Sequence, residues 1–313
     1  MTVATSSSWF LFFILIVILL AFDLGVLNRK SHAPSIKEAT YWSIMWILLA
    51  FAFNGGIYYW YGAQKALEFF TGYVLEKSLS VDNLFVFVLI FRAFKIPRHN
   101  HHKILFYGIL GAIVFRLIFI FIGATLISRF NWMLFVFGAF LVFTGIKIIF
   151  KKESVFVPQK SIILKWFGTH LPFDHETSDK FFVKRRKKTF ITPLFMALLA
   201  IEISDIIFAV DSIPAIFAIT KDPFIVFTSN IFAILGLRSI YFVLENLMEK
   251  FIYLKYGLGV ILTYIGIKML IVEYIHIPIF VSLGIIFFIL LVTTLASFYQ
   301  SQLHTIFKQD QNH

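Results

Sequence analysis

Apolar residues dominate nine stretches of this chain, and charged residues collect mainly between them. The stretches cover residues 9–27, 41–61, 72–94, 104–127, 131–150, 190–219, 224–244, 257–275 and 277–299. A helix needs about 20 mostly apolar residues to cross a bilayer. The pattern therefore predicts an all-α integral membrane protein with nine transmembrane helices, called spans 1 to 9, in a single polytopic domain over residues 1–313.

Composition supports this class and excludes several others. Of the 313 residues, 59% are hydrophobic and 14% are charged, whereas soluble domains carry about 25% charged residues. A water-soluble fold, a disordered chain and a coiled coil are therefore excluded. The chain contains no cysteine, which excludes disulfides and thiolate chemistry.

Lysine and arginine are distributed unevenly between the loops. Loops 28–40, 92–103, 151–189 and 245–256 and the C-terminal tail contain 20 of the 28 basic residues, whereas the N-terminus and the alternate loops contain three. Basic loops remain in the cytoplasm. We therefore expect a protein of the cell inner membrane with its N-terminus outside and its C-terminus in the cytoplasm. The basic run 184–188 is interpreted as a juxtamembrane anchor rather than as a contact to nucleic acid.

An internal repeat is visible as three collinear matches. The matching segments are residues 76–82 (acid, then Asp) with 205–211, 109–111 (Ile-Leu-Gly) with 234–236, and 145–147 (Gly-Ile-Lys) with 266–268. Residues 72–150 (spans 3–5) and 190–275 (spans 6–8) are thus predicted to be two copies of a three-helix unit, separated by the cytoplasmic loop 151–189. An odd number of helices inverts one copy relative to the other. Inverted repeats are typical of secondary transporters.

Five acidic residues lie inside two of the predicted spans: Glu76, Asp82, Glu202, Asp205 and Asp211. Ionised carboxylates at the bilayer centre cost about 2.5–3.5 kcal/mol each, or roughly 12–17 kcal/mol together. They must therefore face one another, water, a cation or the basic residues inside the spans. Those charge-balancing candidates are Arg116, Arg238, Lys147 and Lys268.

The polar neighbours of these acids favour a cation site. Asn83 and Ser212 each follow an aspartate, and further serines add oxygen atoms. Surroundings rich in oxygen and free of sulfur suit hard divalent cations such as Mg²⁺, Ca²⁺ and Mn²⁺. The alternative is that the acids and bases form a buried structural network.

Helix geometry brings only some of the acids together. Glu202 and Asp205 share one face of a helix, whereas Asp211 points away from them. Their convergence requires a broken helix, which we expect at Pro214 because its missing N–H frees a backbone carbonyl. Glu76 lies six residues from the next acid, about 9 Å along a helix, and is interpreted as an entrance residue.

Two smaller polar features allow weaker interpretations. Three histidines in loop 92–103, His99, His101 and His102, are interpreted as part of a solvated basic loop rather than as a metal site. Asp23, near the end of span 1, is either a minor residue of a transport path or a residue that reaches the membrane interface.

The blocks EKSLSVDNLFVFVLIF (76–91) and IEISDIIFAVDSIPAIFAIT (201–220) resemble the TerC family of integral membrane proteins, including its Alx-type members. The resemblance extends over nearly the whole chain. It implies a relationship to transporters that include lysine exporters, in which inverted three-helix repeats recur. It also implies manganese export, with the acids of the two blocks as ligands. The candidate metal-binding residues are Glu76, Asp82, Asn83, Glu202, Asp205, Asp211 and Ser212.

The resulting hypothesis is an exporter of divalent metal cations, with Mn²⁺ as the transported ion and proton exchange as the expected energy source. We expect no enzymatic activity, no prosthetic cofactor and no nucleic-acid partner, and the lipid bilayer as the surrounding medium. Neither an H-E-x-x-H motif nor a nucleotide-binding G-x-x-x-x-G-K-[ST] loop occurs. A membrane scaffold or stress-response protein with structural acids is the alternative.

Overall fold

The computed structural model describes residues 4–27, 35–130, 132–150, 179–185, 188–245, 253–272, 274–275 and 277–310. This part of the chain is almost entirely helical. Its elements are α1 (Ser6–Leu27), α2 (Ile36–Tyr61), α3 (Ala63–Ala93), α4 (Arg98–Arg129), α5 (Met133–Phe150), β1 (Phe182–Arg185), β2 (Lys188–Ile191), α6 (Pro193–Phe217), α7 (Pro223–Ile234), α8 (Leu237–Leu244), α9 (Leu254–Leu270) and α10 (Ile279–Asp310).

The predicted class, an all-α membrane protein, is confirmed, and each predicted span coincides with a helix or, for 224–244, with the pair α7 and α8. Six described helices are long and apolar enough to cross a membrane, and the α7–α8 pair is a seventh candidate. α3 carries many charges and α9 has only 17 residues. Length and composition in the described residues therefore support six or seven spans, and the number nine stays a prediction.

Local sequence signals explain where several helices begin. Ser35 accepts a hydrogen bond from the Glu38 N–H at the start of α2. Thr192 does the same for the Phe195 N–H before α6, whose first residue is proline. These side chains satisfy N–H groups that lack a partner inside the helix, and proline suits the first helical position because it has no N–H to leave unpaired.

The break expected in span 6 is absent, and a different span is broken. α6 continues through Pro214, and the Ala218 N–H donates to the Pro214 carbonyl. Pro214 therefore removes the backbone hydrogen bond to the Val210 carbonyl without ending the helix. The interruption falls in span 7, where α7 and α8 meet at 41° and Gly236 has a φ of +85°.

Glycines allow α5 and α9 to pack closely. A Cβ atom on Gly145 would lie 2.6 Å from the Gly259 carbonyl oxygen, and one on Gly266 would lie 2.6 Å from the Gly138 carbonyl oxygen. Small residues let membrane helices approach to backbone contact. Inside the bundle, α3 packs against α6 and α7, and α4 packs against the same two helices. The candidate functional residues lie where these four helices meet.

A short hairpin precedes α6 on the side that we expect to be cytoplasmic. β1 and β2 are antiparallel, with Val183 opposite Phe190. Just before the hairpin, the Asp179 carboxylate accepts hydrogen bonds from Asn100 (2.8 Å) and His99 (3.0 Å) near the start of α4. These bonds hold the pKa of Asp179 below its ordinary value. The hairpin, which the sequence pattern did not predict, is thus fastened to α4.

Candidate functional site

A buried arginine joins the two halves of the bundle. The guanidinium of Arg116 in α4 is fully buried and donates hydrogen bonds to Glu76 of α3 and to Asn230 of α7. It also contacts Asp205 of α6, with 3.3 Å between Nη2 and Oδ1. We call these four residues, Glu76, Arg116, Asp205 and Asn230, the central cluster.

Several polar atoms of the central cluster have no hydrogen-bond partner among the described residues. They are Glu76 Oε2, Asp205 Oδ2, Arg116 Nε and Asn230 Nδ2. The other Glu76 oxygen, Oε1, accepts a bond from Ser80 at 3.3 Å in addition to its bond from the arginine. Buried carboxylate oxygens without partners are costly. The cluster therefore retains oxygen atoms with the capacity to bind a further positive group.

Glu76 and Asp205 are the two predicted acids that the structure brings directly together. The interpretation of Glu76 as an entrance residue is wrong, because its side chain is fully buried at the centre of the cluster. As predicted, Glu202 and Asp205 share one face of α6, and the structure shows that this face meets α4. The Glu202 carboxylate packs directly on Gly111, and any Cβ atom there would overlap it.

The other predicted metal-binding residues are spread around this centre. Asp211 has a side-chain hydrogen bond with Thr144 and lies near Lys147 of α5. It does not converge with Asp205, because α6 remains unbroken. Asn83 and Ser212 are buried, and the Ser212 hydroxyl has no hydrogen-bond partner in the described part. The side chain of Asp82 lies outside the described residues. Within those residues, no group of three or more His, Asp or Glu side chains is arranged to hold a metal ion.

The second arginine of the predicted spans makes a different contact. Arg238 of α8 forms an ion pair with Asp23 of α1 and contacts the ring nitrogen Nδ1 of His102 at 2.9 Å. The prediction that Arg238 balances the charge of the five acids is therefore wrong: its partner is the acid of a helix outside the repeat. Lys268 likewise does not reach these acids in the described structure, since it donates to Ser282 of α10 at 2.8 Å.

The histidines of the 92–103 loop are mostly not solvated. His101 is buried, stacks on Phe91 with 4.1 Å between ring centroids, and contacts the Tyr241 hydroxyl at 3.0 Å. His102 is also buried, against Arg238. α4 begins earlier than the predicted span and includes both residues, which explains the error. Together they connect α4 to α8.

A second set of polar contacts lies along the seam between α3 and α7. Near the start of α3, Glu68 accepts hydrogen bonds from Lys65 at 2.7 Å and from Thr220 at 2.5 Å. Further along, α3 and α7 approach so closely that a Cβ atom on Gly72 would lie 2.9 Å from the Ser229 hydroxyl. Polar groups thus continue from the start of α3 toward the central cluster.

Sequence reasoning missed Asn230 of the central cluster and Lys77, which follows Glu76 in α3. Asn230 is fully buried in α7 and binds Arg116. The Lys77 ammonium donates to the Ala233 carbonyl at 2.9 Å and to the Leu235 carbonyl at 3.4 Å. A signal existed for both, since a lone amide in an apolar span and a lysine beside a glutamate are unusual inside a membrane.

Comparison with known proteins identifies the family of the chain. Residues 61–304 match the integral membrane protein TerC family. The protein called "Putative membrane-bound redox modulator Alx" of Escherichia coli (strain K12) is 48% identical over 303 residues, covering 93% of this chain and 94% of that protein. An uncharacterized membrane protein of Myxococcus xanthus, STKORF319, is 45% identical, covering 96% and 95%. No solved structure is significantly similar to the chain.

Proposed function

Because this chain belongs to the integral membrane protein TerC family, we propose that it exports divalent metal cations, with Mn²⁺ as the main substrate. The observation that carries the proposal is the central cluster. Arg116 binds one carboxylate from α3, one carboxylate from α6 and the buried amide of Asn230. In the predicted repeat, α3 and α6 are the first helices of the two copies. Each of the two carboxylates keeps one oxygen without a hydrogen-bond partner among the described residues.

Charge in the cluster favours an incoming cation. Glu76 and Asp205 share a single guanidinium, so the contacting groups carry excess negative charge when both carboxyls are ionised. Glu202 adds a third carboxyl one turn away on α6. Hard divalent cations prefer such carboxylate and amide oxygens. We infer that Arg116 is the positive group of the resting site, and that the metal binds when the arginine partly withdraws from the acids.

A proposal of alternating access needs two related halves. The α5–α9 contact supports inverted copies, because it is reciprocal: Gly138 meets Gly266 and Gly145 meets Gly259. In the predicted repeat, Gly145 corresponds to Gly266, and the same alignment makes Gly138 correspond to Gly259. Exchanging the two copies therefore converts each of these two contacts into the other. Such self-complementarity is the signature of a two-fold relation. We infer nine spans with the N-terminus outside and the C-terminus in the cytoplasm of the inner membrane.

Proton exchange is the energy source that we propose. A divalent cation stabilises the ionised form of carboxyl groups, so its binding releases protons. Protons that return from outside then allow the empty site to reset. The polar seam between α3 and α7 is a suitable route toward the outer side.

The test is transport of ⁵⁴Mn²⁺ in vesicles reconstituted with the full-length protein, together with a dye that reports internal pH. We expect Mn²⁺ flux with opposed proton movement, and loss of both in Glu76→Gln and Asp205→Asn. Asp23→Asn is the matched control, since Asp23 is also a buried acid paired with an arginine but lies outside the central cluster. Mn²⁺ flux of wild-type size in both cluster variants would refute the proposed site.

The structural alternative, in which the acids only hold helices together, makes a different prediction. Glu76→Gln and Asp205→Asn would then lower stability without changing Mn²⁺ flux in the folded protein. The relatives named as redox modulators suggest another role, but this chain has no cysteine. Thiol chemistry therefore cannot carry a redox function here.

A further inference from the structure

The break between α7 and α8 lies beside the central cluster and has no part in the proposal above. Gly236 at the break has φ +85° and ψ −3°, a conformation that L side chains rarely adopt. A helix that ends inside a membrane leaves its last carbonyl groups without helical N–H donors. These oxygens need another donor, because water is scarce at this depth.

Lys77 supplies that donor from α3. Its ammonium binds the carbonyls of Ala233 and Leu235, the residues on either side of the last residue of α7. Cations favour this end of a helix, where the helix dipole is negative. In membrane transporters, the C-terminal ends of interrupted helices bind free cations. Here the cation is part of the protein.

Two consecutive residues of α3 therefore hold the same segment of α7. Glu76 is connected to Asn230 through Arg116, and Lys77 binds Ala233 directly. Asn230 and Ala233 are three residues apart, which is about one helical turn. A displacement of the broken end from α3 would thus displace Asn230 from the central cluster.

The break is also enclosed by α2. A Cβ atom on Gly236 would lie 2.8 Å from two atoms of Trp46, whose indole N–H is buried and has no hydrogen-bond partner in the described part of the chain. Among the described residues around the break, Lys77 therefore donates hydrogen bonds to the carbonyls, and Trp46 contributes packing.

We propose that Lys77 is a positioning residue, a tethered cation that holds the broken end of α7 against α3 and so keeps Asn230 at the central cluster. Its consequence for transport rests on the proposed function, whereas its effect on the helix break does not. Lysine at this position acts through α7 and is not a ligand of the transported metal.

The absence of native cysteine makes a direct test possible. Leu235→Cys places a single thiol at the break and leaves the Leu235 carbonyl in place. We would measure its reaction rate with a methanethiosulfonate reagent in vesicles that contain the full-length protein. Adding Lys77→Ala should raise this rate at least about tenfold, since a hydrogen bond to a charged group is typically worth a factor of ten or more.

Two comparisons separate positioning by charge from general loosening. Lys77→Arg should keep the slow rate, because arginine also donates to carbonyls, and Lys268→Ala should keep it, because Lys268 binds Ser282 elsewhere in the membrane. n-Propylammonium should slow the reaction in Lys77→Ala and restore part of its ⁵⁴Mn²⁺ flux. Where Lys77→Ala does not fold, Lys77→Gln, which keeps an N–H donor without the charge, takes its place.

The outcomes distinguish this inference from the proposed function. A labelling rate in Lys77→Ala equal to that of the parent, or unaffected by n-propylammonium, would overturn the role of Lys77 even if the protein transports Mn²⁺. Conversely, a rate that responds as expected in a protein that transports no Mn²⁺ would support the tethered cation and refute the exporter.

Discussion

The Ile-Leu-Gly triplet occurs once in each predicted repeat copy, and the two triplets adopt different structures. Residues 109–111 lie inside α4, a continuous helix of 32 residues. Residues 234–236 form the break between α7 and α8. Identical local sequence therefore permits both an intact and an interrupted helix, and the neighbouring helices decide between them.

The neighbours differ in one instructive way. Lys77 from α3 reaches the carbonyls at the second triplet. The repeat aligns Glu76 with Asp205, so the counterpart of Lys77 is Ile206, which has no donor to offer. At the first triplet, Gly111 instead makes room for the Glu202 carboxylate. One glycine permits a turn and the other permits close packing, so the two copies carry different functional parts.

The largest effect is expected at the two arginines that follow the triplets. Arg116→Met should lower the free energy of unfolding by about 3–5 kcal/mol, because it leaves buried carboxylates without their cation. Arg238→Met should also destabilise the protein, but only Arg116→Met should change Mn²⁺ affinity. Thermal unfolding in detergent and Mn²⁺ titration measure the two effects. If both variants changed the Mn²⁺ affinity equally, the two arginines would not differ in their role in Mn²⁺ binding.

Gly236→Ala should have the next largest effect. A left-handed conformation costs an alanine about 1–2 kcal/mol, and crowding against Trp46 adds about 1–3 kcal/mol. We expect the free energy of unfolding to fall by roughly 2–5 kcal/mol on these grounds. Thermal denaturation measures this fall, with Gly55→Ala in α2 as control, since a Cβ atom there meets no neighbour within 4 Å. Full stability would mean that the break does not need glycine.

Gly111→Ala should lower the free energy of unfolding less than Gly236→Ala does, and its main effect should be on Mn²⁺ transport. Crowding of about 1–3 kcal/mol is offset by about 1 kcal/mol from the better helix propensity of alanine. The Glu202 carboxylate must move, however, so ⁵⁴Mn²⁺ flux should fall although the protein stays folded. Flux of wild-type size would show that the position of Glu202 against α4 does not matter for transport.

The smallest effect concerns the Gly-Ile-Lys triplets. Lys268→Met removes a hydrogen bond to Ser282 and should cost about 1 kcal/mol. Lys147→Met should cost more at neutral pH, because it removes a positive charge that lies near Asp211. Parallel unfolding measurements compare them. Equal losses of unfolding free energy would indicate that the interaction with Asp211 adds nothing to the stabilising effect of Lys147.

Sequence reasoning located the helices well but misjudged how they are connected to one another. Runs of apolar residues predict helices because backbone groups in lipid must bond within their own segment. Every predicted span contains a helix, and the same rule predicts that Glu76, Glu202 and Asp205 lie inside the membrane. It could not place the interruption, because α6 continues through Pro214, whereas the break at Gly236 is stabilised by a lysine that is distant in sequence.

The partners of the charged residues could not be predicted for the same reason. Arg116 and Arg238 occupy similar places in the repeat, yet Arg116 binds Glu76 and Asp205 while Arg238 binds Asp23. Which acid an arginine meets depends on the rotation of the helices and on the distance between them, and local sequence does not specify either.

The sequence by itself determined the membrane class, the helical segments and the two acid-bearing blocks, because the cost of burying polar groups in lipid acts residue by residue. Only the tertiary structure decided that Glu76 belongs to the centre, that Asp211 turns toward α5, that Asn230 binds Arg116, and that Lys77 binds the carbonyls at the end of α7. Those outcomes depend on which helices lie side by side, and charges inside a membrane take whatever partner the packing brings within reach.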